Sequence, residues 1–211
     1  MKNLLIIGTG GFARETYWHA NNAIGYGSEF VIKGFIEGDV PLNDKKYGLL
    51  PMPVINNIIN YEIKKDDVFV IAIADCKIKE KIVEIVKNKN GKFMKLIHKT
   101  ALIAPSAEIG EGVILCQNTS VSCNTKIGNF VMLNSYTSIG HDAKLGDYCS
   151  LMGRVSITGN VEVKDHVYFG CGAKVLPNAK VGAYAKVGAG SVVLKKVKEG
   201  ETVFGVPAMP I

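Results

Sequence analysis

The chain has 211 residues, 47% of them hydrophobic and 21% charged, which fits one large or two small globular domains. Its formal charge of +6 comes from scattered lysines, not from basic blocks interleaved with aromatics, so nucleic acid is not an expected partner. No apolar run reaches the roughly 18 residues of a bilayer span, and the start lacks the apolar length and cleavage site of a signal peptide, so the expected location is the cytoplasm.

The first elements alternate strand and helix. Residues 4–7 read as an apolar strand running into Gly8-Thr9-Gly10-Gly11-Phe12-Ala13 and then a helix to about residue 22. A second strand, 31–36, ends at Glu37. A third, 68–74, ends at Asp75 and precedes a helix at 77–87, and a short strand lies near 93–96. This order predicts a small Rossmann-like parallel sheet in an α/β domain over residues 1–97. Gly8, Gly10 and Ala13 fit G-x-G-x-x-A, and acidic Glu37 follows at a suitable distance, as in a dinucleotide site. Alone this favours NAD, but fewer than 100 residues are too short for two mononucleotide halves. The more general meaning is that bare glycine amides and a helix N-terminus attract a phosphate or other anion.

From Ile103 the grammar changes to a repeat of six. Ile103, Ile109, Leu115, Val121 and every sixth residue up to Val193 are large and apolar, sixteen positions in all. Four residues after each stands a small or β-branched residue, from Ala107 to Val197. Glycine follows the apolar position at 110, 128, 140, 146, 170, 182 and 188. Six residues make one short strand and one tight turn, and three such units close a triangular coil with the aliphatic side chain inside. Glycine and asparagine serve corners that need positive φ or close backbone approach. The period fits neither a 3.6-residue helix nor a two-residue alternation. It predicts about five coils of an all-β parallel β-helix over residues 98–211.

The run EIGEGV, KIGNFV, SIGHDAKLGDYC, KVGAYAKVGAGS resembles the hexapeptide-repeat acyltransferases, whose β-helices are left-handed. Together with LIIGTGGFARE, GFIEG, VIAIADCKIKEKI, LIHKTALIAPSAEIG and the terminal VFGVPA, it resembles the PglD/NeuD-like sugar O/N-acetyltransferases over nearly the whole chain. The resemblance implies a homotrimer. Acetyl-CoA would be the cosubstrate, bound between neighbouring β-helices, with a nucleotide sugar held by the N-terminal domain. No metal is expected.

The same resemblance assigns residues. His141 would be the catalytic base and Asp142 its supporting acid, where relatives commonly have Glu. Ser150 stands where relatives often have a second histidine near the acetyl group, and Gly159 where a backbone N–H faces the thioester. Cys171 and Ala189 match positions along the pantetheine arm. Gly10, Gly11 and Phe12 match a phosphate-proximal loop, Glu37 a base or ribose reader, and Ala74 and Asp75 the loop after the third strand. The terminal Gly-x-Pro-Ala is followed by Met209 in place of the usual cation, leaving Lys186, Lys195 or Lys196 as substitutes.

The other histidines invite plainer readings. His166 is expected as a solvated surface side chain, His98 as a structural residue or a seat for the sugar, and His19 without a role. The five cysteines form no C-x-x-C pair and read as small buried thiols. The leading expectation is N-acetylation of a nucleotide-linked amino sugar in bacterial surface glycan assembly, for instance of lipopolysaccharide. The alternatives are O-acetylation of sialic acid or a related sugar, and a non-catalytic sugar-nucleotide-binding or NAD-binding protein. A β-helical carbonic anhydrase would need three histidines around a metal, and the repeat holds only His141 and His166.

Overall fold

The computed structural model describes residues 1–38 and 49–211. These form two compact units, Met1–Lys99 and Thr100–Ile211. Asp39, the acidic residue closest after Glu37 in sequence, lies outside the described residues.

In the first unit, β1 (Lys2–Ile7) leads into α1 (Gly11–Asn21), β2 (Phe30–Glu37), β3 (Val54–Asn57), β4 (Asp67–Ile71) and α2 (Cys76–Asn88). The strands make one parallel sheet in the order β3-β2-β1-β4. Leu4, Leu5, Ile6 and Ile7 are all fully buried, because a central parallel strand is covered on both faces. That is why β1 reads as an unbroken apolar run. β3 is unexpected from sequence, since Pro51, Pro53, Asn56 and Asn57 read as turn chemistry. It sits at the sheet edge, where only one hydrogen-bond ladder is needed and prolines nearby are tolerated. Asp75 caps α2, its carboxylate accepting from the N–H groups of Lys77 (3.0 Å) and Ile78 (2.9 Å).

The second unit is a parallel β-helix of two-residue strands on three faces. The first face runs from Leu102–Ile103 to Val192–Val193, the second from Glu108–Ile109 to Lys196–Val197, and the third from Ile114–Leu115 to Thr202–Phe204. Each strand pairs with the one a coil later, as in Ser138↔Ser156, Lys144↔Glu162 and Ser150↔Tyr168. The aliphatic ladder fills the interior: Leu133, Leu151, Phe169 and Val187 are all at 0% exposure. Ile103 and Ile109, in the open first coil, are only half-buried.

The first two faces carry six strands each, so there are six coils and not five. The extra coil arises because the last repeat is short. Lys180 pairs with Lys196, sixteen residues on, and Val181 with Val197. Val197 therefore stands in the aliphatic ladder, not in the small-residue column where counting by six places it.

The corners repeat one backbone device, a residue in the left-handed region. Asn124, Phe130, Tyr136, Asp142, Tyr148, Arg154, Asn160 and His166 all have φ between 56° and 63°. Asn and Asp are expected there, whereas bulky rings are uncommon. At the corner between the second and third faces the rings stack on one another. Centroids are 5.4 Å apart for Phe130–Tyr148, 5.0 Å for Tyr148–His166 and 4.6 Å for His166–Tyr184. His166 is thus buried (8% exposed) within an aromatic column, and not a solvated surface residue. The glycine after an apolar position answers close approach. At Gly140 an added Cβ would lie 2.6 Å from the Thr158 carbonyl carbon of the next coil. Cys76, Cys116 and Cys149 are buried as expected, but Cys123 and Cys171 are exposed, because each stands at a corner just before a left-handed residue, Asn124 and Gly172.

Candidate active site

His141 and Asp142 form the corner between strands Ser138–Ile139 and Lys144–Leu145, where the first face turns into the second. Asp142 takes the left-handed turn position with φ 57°. A short Asp tolerates that region better than Glu. His141 Nδ1 lies 2.8 Å from Asp142 Oδ2, and Asp142 Oδ1 accepts from Asn124 Nδ2 at 3.2 Å. An ionised carboxylate only accepts, so Nδ1 donates and the neutral ring keeps its lone pair on Nε2. The hydrogen bond with His141, and next that from Asn124, hold the Asp142 carboxyl below its ordinary range. Both side chains are exposed, at 57% for His141 and 45% for Asp142.

The ring leans along the helix axis over Gly159 of the following coil. A Cβ at 159 would stand 2.5 Å from His141 Nε2, so only glycine leaves room for this orientation. The backbone supports the same stacking, since the Asn160 N–H donates to the His141 carbonyl at 3.0 Å and the Asp142 N–H to that of Cys123 at 3.0 Å. This corner can accept a proton on Nε2 and stabilise the resulting imidazolium through Asp142.

The other candidates of this unit stand elsewhere. Ser150 lies on the third face and is fully buried. Cys171 and Ala189 are exposed and stand one coil apart at the corner between the third and first faces. Within one chain, only Gly159 of the proposed coenzyme contacts adjoins His141. Lys186 projects from the third face and Lys196 from the second. Asn124 escaped the sequence reading. Its only signal is its place one coil before Asp142, which is visible once the repeat is laid out in coils of 18.

The first unit carries a cleft of about 420 Å³ at the ends of its strands, lined by Gly8 to Phe12, Glu37, Gly38, Ala72 to Ala74 and Ile78. Gly8 is obligatory: its φ is 119°, and a Cβ would lie 2.8 Å from the Ala72 carbonyl oxygen. Around Gly10 the space a Cβ would enter is open to 4 Å. The N-terminus of α1 has neither a side-chain cap nor an acidic residue in its first turn, which leaves its amides available to an anion. Glu37 is buried (5% exposed), and its oxygens accept from Thr9 Oγ1 at 2.8 Å and from the Gly38 N–H at 3.0 Å. The cleft therefore gathers Gly10, Gly11, Phe12, Glu37 and Ala74. Asp75 does not line it; its carboxylate is committed to capping α2.

His19 and His98, within the same unit, are both buried and meet edge to face at 5.7 Å. Burial foremost, and then the neighbouring His98, lower the His19 pKa to about 4. Among the described residues no three His, Cys, Asp or Glu side chains gather as a metal site, and no helix is long and apolar enough to cross a membrane.

Residues 3–86 match the PglD N-terminal domain family, and residues 160–195 match the bacterial transferase hexapeptide (six repeats) family. The chain thus carries a PglD-type N-terminal domain and a bacterial transferase hexapeptide stretch, and is similar to the PglD/NeuD-like sugar acetyltransferases. It is accordingly an acyltransferase. No curated protein matches it in sequence. Several solved structures share its full length. PerB from Caulobacter crescentus, in complex with CoA and GDP-perosamine, is 25% identical with a TM-score of 0.88 and covers 100% of this chain and 98% of its own. A histidine-to-asparagine mutant of perosamine N-acetyltransferase from the same organism, with the same ligands, is 24% identical with a TM-score of 0.89 and covers 100% and 97%. The acetyltransferase domain of PglB from Neisseria gonorrhoeae FA1090, in complex with acetyl coenzyme A, is 24% identical with a TM-score of 0.87 and covers 100% and 99%. The anion-ready cleft falls within the stretch matched by the PglD N-terminal domain, and the exposed His–Asp corner lies in the same β-helix as the hexapeptide match, ahead of the residues that it covers.

Proposed function

We propose that the protein is an acetyl-CoA-dependent N-acetyltransferase that acts on the amino group of a nucleotide-linked amino sugar in bacterial surface glycan assembly. The observation that carries this reading is the exposed His141–Asp142 pair, with Nδ1 held at 2.8 Å by the carboxylate and Nε2 set over Gly159. Likeness to PerB, solved with CoA and GDP-perosamine, supports the choice of an acetyl donor and a nucleotide sugar.

In the proposed reaction the neutral sugar amine attacks the thioester carbonyl carbon. A C–N bond forms and the carbonyl π electrons move onto oxygen. His141 Nε2 takes a proton from the attacking nitrogen, and Asp142 stabilises the imidazolium. Collapse of the tetrahedral species breaks the C–S bond, and the departing CoA thiolate takes that proton from His141. The Gly159 amide is assigned to the developing oxyanion, and Ser150, Cys171 and Ala189 to the coenzyme. Gly10, Gly11, Phe12, Glu37 and Ala74 are assigned to the nucleotide, with the Asp75 contribution limited to shaping the loop. Because Cys171 and Ala189 occupy a different corner from His141, both sets serve one coenzyme when a second copy presents its corner to the first. A homotrimer meets that need, and the cytoplasm supplies both substrates.

The test is an acetyl-transfer assay with acetyl-CoA and matched UDP-, GDP- and dTDP-linked amino sugars and hydroxy sugars, with sialic acid included. Free thiol release and the product amide by mass spectrometry are followed. Amide formation on one nucleotide class is expected, together with a raised melting temperature on adding acetyl-CoA. Ester formation alone, or no transfer and no stabilisation by acetyl-CoA, overturns the reading.

A further inference from the structure

Asn124 stands one coil before Asp142 in the same corner column. Its backbone is pinned, with φ 56° and its N–H donating to Ser106 Oγ at 3.0 Å. Its side-chain Nδ2 reaches Asp142 Oδ1 at 3.2 Å, while Asp142 Oδ2 faces His141 Nδ1 at 2.8 Å. Each oxygen of one carboxylate therefore has its own partner.

We propose that Asn124 is a positioning residue for catalysis: it fixes the carboxylate plane of Asp142, which in turn holds the His141 ring with its proton on Nδ1 and its lone pair on Nε2. This rests on the reading of His141 as the base. The physical need is plain from exposure. An ion pair whose members are 57% and 45% exposed is weakly held in water. The terminal torsion of an Asp side chain is also broad, so one hydrogen bond on one oxygen leaves the carboxylate free to swing. A second bond, from an amide whose own backbone is anchored in a tight turn, removes that freedom. The chemistry at 124 must be a donor. An Asp there would suit the left-handed turn equally well, but it would set oxygen against oxygen.

The Asn124→Asp variant is nearly isosteric, keeps the turn and deletes the donor, so it separates positioning from folding. In the acetyl-transfer assay, kcat is expected to fall about tenfold, with both KM values within about twofold of the parent. The melting temperature is expected to be essentially unchanged. In an Asp142→Ala background, Asn124→Asp is expected to cause no further fall, because the residue acts only through Asp142. An unchanged kcat in Asn124→Asp, or the same fall with Asp142 already removed, overturns the inference. His141→Asn keeps the two claims apart. An inactive His141→Asn beside a fully active Asn124→Asp sinks this inference alone, whereas a fully active His141→Asn sinks the base assignment and this inference with it.

Discussion

Two corners of the same β-helix each hold a histidine beside an aspartate in sequence, and they put it to opposite uses. At the corner between the first and second faces, His141 precedes the left-handed residue, leans over Gly159 and stays exposed beside Asp142. At the corner between the second and third faces, His166 is itself the left-handed residue. Its ring lies nearly parallel to Tyr148 and Tyr184, at 23° and 13°. Meanwhile the neighbouring Asp165 accepts from the Asp147 backbone N–H at 2.8 Å. One step along the chain decides whether an imidazole joins a stack or stays exposed beside a carboxylate.

The sharpest way to break this contrast is to exchange the consequences. His141→Asn should lower kcat by about a hundredfold or more, measured by thiol release, with no loss of thermal stability. If turnover survives, the exposed corner is not where proton transfer occurs. Gly159→Ala should come next. The new Cβ claims the place of Nε2, and displacing a reacting group by about 1 Å costs up to about a hundredfold in rate. Coenzyme binding, read by calorimetry, should persist, and a variant with parental kcat would show that the ring orientation is irrelevant. His166→Ala should do the reverse, lowering stability by about 1–3 kcal/mol through two lost ring contacts while kcat stays near the parent. His166→Phe should restore the stability. Loss of turnover in folded His166→Ala would erase the distinction between the corners.

The smallest effect concerns a third histidine environment, the buried His19–His98 pair. A neutral His19 with its pKa lowered to about 4, against an ordinary 6.5, takes up no proton in that interval while the unfolded chain does. Stability should therefore be level above pH 6.5 and should fall as pH drops from 6.5 towards 4. Thermal melts across this window should show the decline, with His19→Phe flattening it. A parallel decline in that variant would place the acid sensitivity elsewhere.

How legible each part was depends on how local its cause is. The aliphatic ladder could be read directly because a coil interior needs nothing but one apolar side chain every sixth residue. The coil count came out one short because the final corner drops two residues, and no residue near 194–195 announces it. The His141 motif was visible, and Glu37 was placed correctly because it ends a strand. Its hold by Thr9 was not visible, since it joins residues 28 apart. Asn124 looked like any other corner asparagine, because a contact one coil away carries no adjacent cue. His166 was misread for the same reason: the period gives its corner, while burial depends on Tyr148 and Tyr184, 18 residues to either side. β3 was missed because an edge strand with a single ladder tolerates prolines close by.

The shortened final repeat has a consequence for how such a molecule can change in length. Most corners spend four residues between strands, as from Ile139 to Lys144, yet Val193 to Lys196 manages with two, and every later strand still finds its place, with Lys186 beside Thr202. Corner length is a free variable of the architecture, while strand length is not. A segment inserted at a bend would bulge outward and leave the columns above it undisturbed, whereas one residue added within a two-residue strand would turn that strand's aliphatic side chain out of the interior, with the next corner restoring the ladder beyond it.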